Sequence, residues 1–253
     1  MSGRVWAALL AARSDASQAV PDPLWSPDEF AAWSLYSPLL GLGDGRPFLF
    51  AQVGQSLDGR VATPAGESRD VSGRDGLIHL HRCRALADAV IVGVGTALAD
   101  DPRLTVRLAD GDNPARIVID PSGRLDDGAT VFRDDGCRRI VVQACGRDRP
   151  AGVEIVRLPA HDGCMDAGAV AAALHDLGLR RVLIEGGGTT IGRFLDAGLV
   201  NRLHVGIAPL IIGAGRSGLT MRPPTRLAEA QRPRTRVFCL GGDVIFDCAF
   251  GTG

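Results

Sequence analysis

The sequence predicts an α/β fold: a mostly parallel central sheet, covered by helices on both faces and finished by a C-terminal antiparallel hairpin. Three observations carry this reading. From Pro47 onward, short apolar runs of β-type residues alternate with segments of helical spacing. The runs are apolar nearly throughout, as in strands buried on both faces. The last two flank Gly241-Gly242, the composition of a tight turn.

The elements follow in chain order. Ala7 to Ala12 is a short apolar run, and a Ser/Asp/Pro stretch follows it. Ser26-Pro27-Asp28-Glu29 supplies an N-cap, a proline at the first helical position and two acids in the first turn, so a short helix starts there. Gly41–Pro47 reads as a linker. Residues 1–46 are therefore expected to form an arm, and 47–253 the main domain. Within that domain, strands are expected at Phe48–Ala51, Ala89–Val92, Arg116–Ile119, Arg139–Val142, Val153–Val156, Arg181–Ile184, Leu203–Ala208, Arg234–Leu240 and Val244–Phe250. Helices are expected over Arg74–Leu86, over Asp166–Leu177 with Gly178 as its stop, and after Thr190.

Composition narrows the function. The 253 residues are 45% hydrophobic and 23% charged with a net charge of −1, which suits a soluble globular protein and not a nucleic-acid partner. All 28 basic residues are arginine. Lysine Schiff-base chemistry, lysine-anchored pyridoxal phosphate and a Walker-type phosphate loop are thereby excluded. The six cysteines (Cys83, Cys137, Cys145, Cys164, Cys239 and Cys248) have no framework spacing and read as free thiols in a reducing, cytoplasmic compartment. No apolar stretch reaches transmembrane length, so no membrane partner is expected.

Two glycine-bearing strand ends carry the candidate chemistry. Glu185-Gly186-Gly187-Gly188-Thr189-Thr190 follows one strand and opens a helix. Backbone N–H groups there suit an anion, and Thr189 or Thr190 suits a cap or a phosphate oxygen; a plain packing turn is the other reading. Gly93-Val94-Gly95-Thr96 is a second such turn, leading into Asp100-Asp101-Pro102. Ligands of open α/β sheets sit outside the carboxyl ends of strands, so both loops could line one crevice. The paired aspartates could serve as acid and orienting base if one were desolvated. Arg84 and Arg107 are forks suited to a phosphate. His79 and His81 stand about 200° apart on a helix and cannot share one ion, so no metal is expected. The motifs of zinc deaminases and of serine hydrolases are missing.

In order and spacing, several segments resemble the RibD C-terminal family, the dihydrofolate-reductase-like reductases of riboflavin biosynthesis. They are Ser56-Leu57-Asp58-Gly59-Arg60, Gly66-Glu67-Ser68, His81-Arg82-Cys83-Arg84-Ala85, Gly93-Val94-Gly95-Thr96, Ala99-Asp100-Asp101-Pro102-Arg103-Leu104-Thr105-Val106-Arg107, Asn113-Pro114-Ala115-Arg116, Glu185-Gly186-Gly187-Gly188 and Ile207-Ala208-Pro209. The resemblance implies a three-layer α/β/α fold and an NADPH-dependent reduction of a ribosylaminopyrimidine 5′-phosphate to its ribitylamino product. It implies that Gly54, Thr96, Asp100, Gly187, Gly188, Thr189 and Thr190 hold the cofactor. Ser68, Arg84, Leu104, Arg107 and Glu185 are implied to contact substrate, the arginines as phosphate clamps. Asp100 is the implied catalytic residue, assisting proton transfer or stabilising an iminium at the sugar C1′.

Two positions depart from the family: Gln52 stands where a lysine is usual, and Asp70 where an aromatic is frequent. These departures keep open a pterin- or dihydrofolate-type reduction or a specialised pyrimidine on the same fold, and a nucleotide-binding relative without turnover. The apolar run Ile207–Ile212 and the terminal hairpin could form a two-fold contact or be plain core strands; the resemblance implies a homodimer, and the sequence reads as a standalone reductase without a deaminase domain.

Overall fold

The computed structural model describes residues 2–41 and 47–251, so most of the expected linker at Gly41–Pro47 lies outside the described residues. Two helices come first: α1 (Gly3–Ser14) and α2 (Pro27–Tyr36). The main body then runs β1 (Phe48–Ser56), β2 (Arg60–Ala62), α3 (Arg74–Leu86), β3 (Ala89–Gly93), α4 (Val94–Asp100), β4 (Ala115–Ile119), β5 (Arg139–Gln143) and β6 (Val153–Arg157). It continues with β7 (Ala160–His161), β8 (Cys164–Met165), α5 (Ala167–Asp176), β9 (Arg181–Glu185), α6 (Gly188–Asp196), β10 (Arg202–Ala208), β11 (Arg216–Ser217), β12 (Arg234–Leu240) and β13 (Asp243–Ala249).

Nine strands form one sheet in the order β12-β13-β10-β1-β9-β3-β4-β5-β6. Every pair from β10 to β6 is parallel, and β10-β13-β12 is antiparallel, as the sequence predicts. The turn between β12 and β13 is made by Gly241, at φ +61°, and Gly242. The two faces bury separate clusters. Phe50, Val90, Val92 and Leu183 pack with α1 to α4 on one side. Leu49, Ala51, Ile91 and Ile184 pack with α5 and α6 on the other. The chain is thus a three-layer α/β/α sandwich.

The capping box foreseen at α2 is present: Ser26 and Glu29 bond each other's backbone N–H groups. Glu29 also receives the Arg4 guanidinium, which binds α1 to α2. Residues 2–41 are not peripheral to the core, because Trp6, Leu9, Trp33 and Tyr36 bury against the same cluster as the sheet. The α1 helix exceeds the short apolar run that the sequence shows. Its buried residues Val5, Trp6, Leu9 and Ala12 face the body at helical spacing, but alanines between them blur the stripe.

Two further elements differ from expectation. Strand β1 runs on to Ser56, past the last apolar residue of its expected span. The turn expected at Gly93–Thr96 is instead the start of α4, with Gly93 as its cap. No described helix is long and apolar enough to cross a membrane.

Candidate active site

The carboxyl ends of β1, β9, β3 and β4 open into a cavity of about 1060 Å³. It lies where the strand order reverses around β1 and β9, the place at which doubly wound sheets hold ligands. Of the residues singled out above, Gly54, Ser68, Arg84, Thr96, Asp100, Leu104, Glu185, Gly187, Gly188, Thr189 and Thr190 line it. Arg107 does not.

One end of the cavity is formed by the glycine turn that opens α6. Gly186 and Gly187 both have positive φ, at +61° and +72°, a backbone state that glycine adopts without penalty, just ahead of α6. A Cβ on Gly187 would stand 2.7 Å from Thr96 Oγ1 on α4. The two helix starts are therefore pressed together, and only glycine fits between them. Gly187 is the cap residue of α6 and no side chain caps that helix, so neither Thr189 nor Thr190 has the capping role. Their hydroxyls remain available to a ligand.

The floor is a buried ion pair. Arg84 Nε and Nη2 each donate to Glu185 at 2.7 Å, and Nη1 donates to the Thr105 carbonyl at 3.0 Å. Burial pushes the guanidinium pKa down, but Glu185 beside it prevails, and the net direction is up. Arg84 thus presents no free fork, contrary to the expected phosphate clamp. Three of its five N–H groups are already bonded. Gln52, 6% exposed, lines the cavity in register with Glu185 on the same sheet face.

The loop after α4 carries the remaining candidates. Asp100, exposed at the cavity mouth, accepts from Ser68 Oγ at 3.4 Å. Asp101 turns away and accepts from Thr130 N and Oγ1 at 2.7 and 2.6 Å, which holds its pKa below the ordinary value. The two aspartates therefore do not form an acid–base pair. Leu104 sits in the left-handed region at φ +56°, a rare state for leucine, on the cavity wall. Arg107 is exposed, its Nη1 donating to Thr105 Oγ1 at 2.7 Å. Its backbone N–H donates to His81 Nδ1 at 2.8 Å. Burial, then Arg84 and Arg107, lower the His81 pKa to about 4.

His79 and His81 face different partners, as their spacing requires. His79 Nδ1 meets Tyr36 Oη at 3.0 Å, while its Nε2 lies 3.1 Å from His204 Nδ1 and 3.6 Å from Cys83 Sγ. Those three side chains are fully buried, one donor short of the four that a closed zinc site takes. They form a hydrogen-bonded core. Asp70 lies outside the main cavity, whereas its neighbours Arg69 and Val71 line it.

Sequence reasoning missed three lining groups. Ser122 and Arg124 follow β4, Gly163 and Met165 belong to the β7–β8 hairpin, and Arg193 projects from α6 with its Nη2 2.9 Å from Cys164 Sγ. The strand-end rule would have found Ser122 and Arg124, because Asp120-Pro121-Ser122-Gly123 ends a strand as Gly93-Val94 does. Arg124 is exposed and has no acidic partner among the described residues.

Residues 47–237 match the RibD C-terminal domain. This chain belongs to the RibD C-terminal domain family. Members similar to it include 2,5-diamino-6-ribosylamino-4(3H)-pyrimidinone 5′-phosphate reductases of two archaea. The protein of Methanothermobacter thermautotrophicus is 36% identical over 214 residues, covering 80% of this chain and 97% of the relative. That of Archaeoglobus fulgidus is 34% identical over 189 residues, covering 70% and 86%. The riboflavin biosynthesis protein RibD of Escherichia coli is 32% identical over 201 residues, and the match spans only 55% of it. In fold the chain resembles the deaminase/reductase of Thermotoga maritima, with a TM-score of 0.72 and 24% identity, covering 87% of this chain and 59% of that one. It also resembles the riboflavin biosynthesis reductase Rib7 of Saccharomyces cerevisiae, with a TM-score of 0.67 and 23% identity, covering 83% and 92%. The family match begins at β1, so α1 and α2 lie outside it.

Two outcomes follow from this geometry. Glu185→Gln leaves the Arg84 charge buried without its counter-charge, and chemical denaturation will register a loss of about 3 kcal/mol. His81, with an ordinary value of 6.5 lowered to about 4, stabilises the fold fully above pH 6.5, and that contribution disappears as pH falls towards 4. His81→Asn keeps an acceptor but cannot protonate. Melting curves from pH 7 to 4 will show a shallower acid loss for the variant, by about 2 kcal/mol at the low end.

Proposed function

We propose that this chain is an NADPH-dependent reductase that converts a ribosylaminopyrimidine 5′-phosphate to its ribitylamino product in riboflavin or related biosynthesis. One observation carries the reading: a single cavity joins a glycine-built anion cradle at the start of α6 to a floor of Gln52, Arg84 and Glu185, with Asp100 between. The archaeal relatives that this chain nearly spans are named as reductases of such a substrate, which supports it further.

A dinucleotide fits the residues present. Gly186, Gly187 and the α6 N-terminus would hold the pyrophosphate, and Thr96 and Gly54 would border the nicotinamide. Arg124 and Ser122 at the end of β4 suit a 2′-phosphate, because a cation without an acidic partner favours NADPH over NADH. When bound, NADPH would supply a hydride for the ring-opened imine carbon C1′ of the sugar. The chain's part is placement and charge. The Asp100 carboxylate, exposed at the cavity mouth, stabilises the positive charge of the iminium and assists the accompanying proton transfer. Ser68 holds Asp100. The Arg84–Glu185 pair keeps a rigid polar floor, and Gln52 offers a neutral amide to the sugar. With Arg84 occupied, Arg69 on the cavity wall and the exposed Arg107 have no acidic partner among the described residues, and we assign them the substrate phosphate.

Six unpaired thiols suit the cytoplasm. The edge strand β12 leaves its outer row of ladder groups unpaired among the described residues and Val237 56% exposed, and Ile211 after β10 is exposed as well. A second copy pairing there gives a homodimer, and a monomer by light scattering at working concentration would refute it.

The deciding assay follows loss of NADPH absorbance with the diaminopyrimidinone and uracil forms of the ribosylamino 5′-phosphate, with dihydrofolate as control. Turnover of a pyrimidine is expected, and Asp100→Asn should lower kcat at least ~100-fold. Turnover of dihydrofolate alone, or full activity in Asp100→Asn, would overturn the assignment. Arg124→Gln should weaken NADPH about tenfold and leave NADH unchanged, as checked by fluorescence titration.

A further inference from the structure

Residues 101–114 contain neither helix nor strand after Asp101, yet they carry Leu104 and Arg107. The loop holds two left-handed residues that are not glycine, Asp101 and Leu104. Such conformations persist only where the surroundings over-determine them. The near leg of the loop is fixed by α3, through Arg84 on the Thr105 carbonyl and His81 on the Arg107 N–H. These two residues are three apart and share one helix face.

The far leg is held differently. Trp6 Nε1 on α1 donates to the Asp110 carbonyl at 3.0 Å, across 104 residues of sequence. Among the described residues it is the one donor to any group of residues 108–112. Beside it Gly111, at φ +126°, lies in a slot between the two helices: a Cβ there would stand 2.8 Å from the Ala85 Cβ of α3 and 3.3 Å from Leu10 of α1. The Trp6 ring is itself fixed, 5% exposed, edge-on to Tyr36 and under the Arg82 guanidinium.

We propose that α1, through Trp6, is a positioning element for the substrate-binding loop, so that residues outside the family-matching stretch tune substrate affinity. This rests on the reading that Leu104 and Arg107 face the substrate. Without the Trp6 bond the far leg keeps the Asn113 side chain on the Val106 N–H and its packing against Ala85, but it loosens, and the aim of Leu104 and Arg107 shifts with it. The cofactor cradle on α4 and α6 touches neither Trp6 nor residues 108–112 and stays as it is.

The test compares Trp6→Phe, which keeps a ring and removes the N–H donor, with Trp33→Phe. Trp33 is a buried indole tilted against Trp25, and its side chain makes no hydrogen bond to the loop among the described residues. Hydrogen exchange of the 102–114 peptide, the KM for the pyrimidine phosphate, kcat and the Kd for NADPH are read on each. Trp6→Phe should speed exchange in the loop and raise KM about fivefold, the weight of one ordinary hydrogen bond. Its kcat and NADPH Kd should remain within twofold. Trp33→Phe should leave loop exchange and KM unchanged. Gly111→Ser, which forces the loop out of the slot between Ala85 of α3 and Leu10 of α1 with the indole intact, should reproduce the Trp6→Phe pattern. Unchanged loop exchange in Trp6→Phe, or equal effects of both tryptophan variants, would overturn the proposal. If the wild-type chain turns over no pyrimidine phosphate, the functional reading fails, and loop exchange alone still decides whether α1 positions the loop.

Discussion

The buried pair between Arg84 and Glu185 is the constraint on which the rest of the site depends. It joins α3, the crossover helix of the substrate side, to β9, whose next residues form the anion cradle. Two charges taken out of water are tolerated only when geometry and hydrogen bonding are good, and here both carboxylate oxygens and the third guanidinium nitrogen have partners. Any movement of α3 against the sheet would break that match. The two halves of the cavity are therefore held at a fixed distance by an interaction that cannot stretch gradually.

From that pair, order spreads in both directions. Towards the substrate, Arg84 and His81 anchor the loop that carries Leu104 and Arg107. Towards the cofactor, β9 ends in two left-handed glycines against Thr96, so the starts of α4 and α6 converge. The start of α3 has its own distant anchor: Gly73 at its cap lacks a side chain, and the Asp243 carboxylate from the terminal hairpin accepts its N–H at 3.0 Å. The antiparallel end of the sheet thereby fixes a helix of the parallel part. A site without lysine is workable in this frame, because bidentate arginine geometry supplies both the internal strut and the free cations.

Much of the fold was legible because its signals are local. The span of α3 agrees with expectation residue for residue, and the parallel strands other than β1 agree within one residue at each end, since apolar runs between turn residues need no tertiary context. The failures have physical causes. β1 runs beyond its apolar run because its second half mixes polar Gln52, Gln55 and Ser56 with Gly54, and Gln52 and Gly54 line the cavity while Val53 stays in the core. α1 was not read as a helix because its buried stripe is made partly of alanine. Arg84 was expected to be free because no local signal ties it to an acid 101 residues away. Asp101 was coupled to Asp100 by adjacency, but its left-handed backbone sends the side chain to Thr130.

By itself, the sequence determined the fold class, the family and the glycine turn between β9 and α6, because these depend on periodicity, turn chemistry and ordered short motifs. Tertiary structure alone decided which arginines are free and which are bound, where each aspartate points, and that His79 meets Cys83 and His204 while His81 meets the loop. It also decided that α1 reaches the substrate side through Trp6. These are contacts between residues far apart in the chain, and the free energy of such a contact depends on burial and alignment, which composition and spacing do not encode.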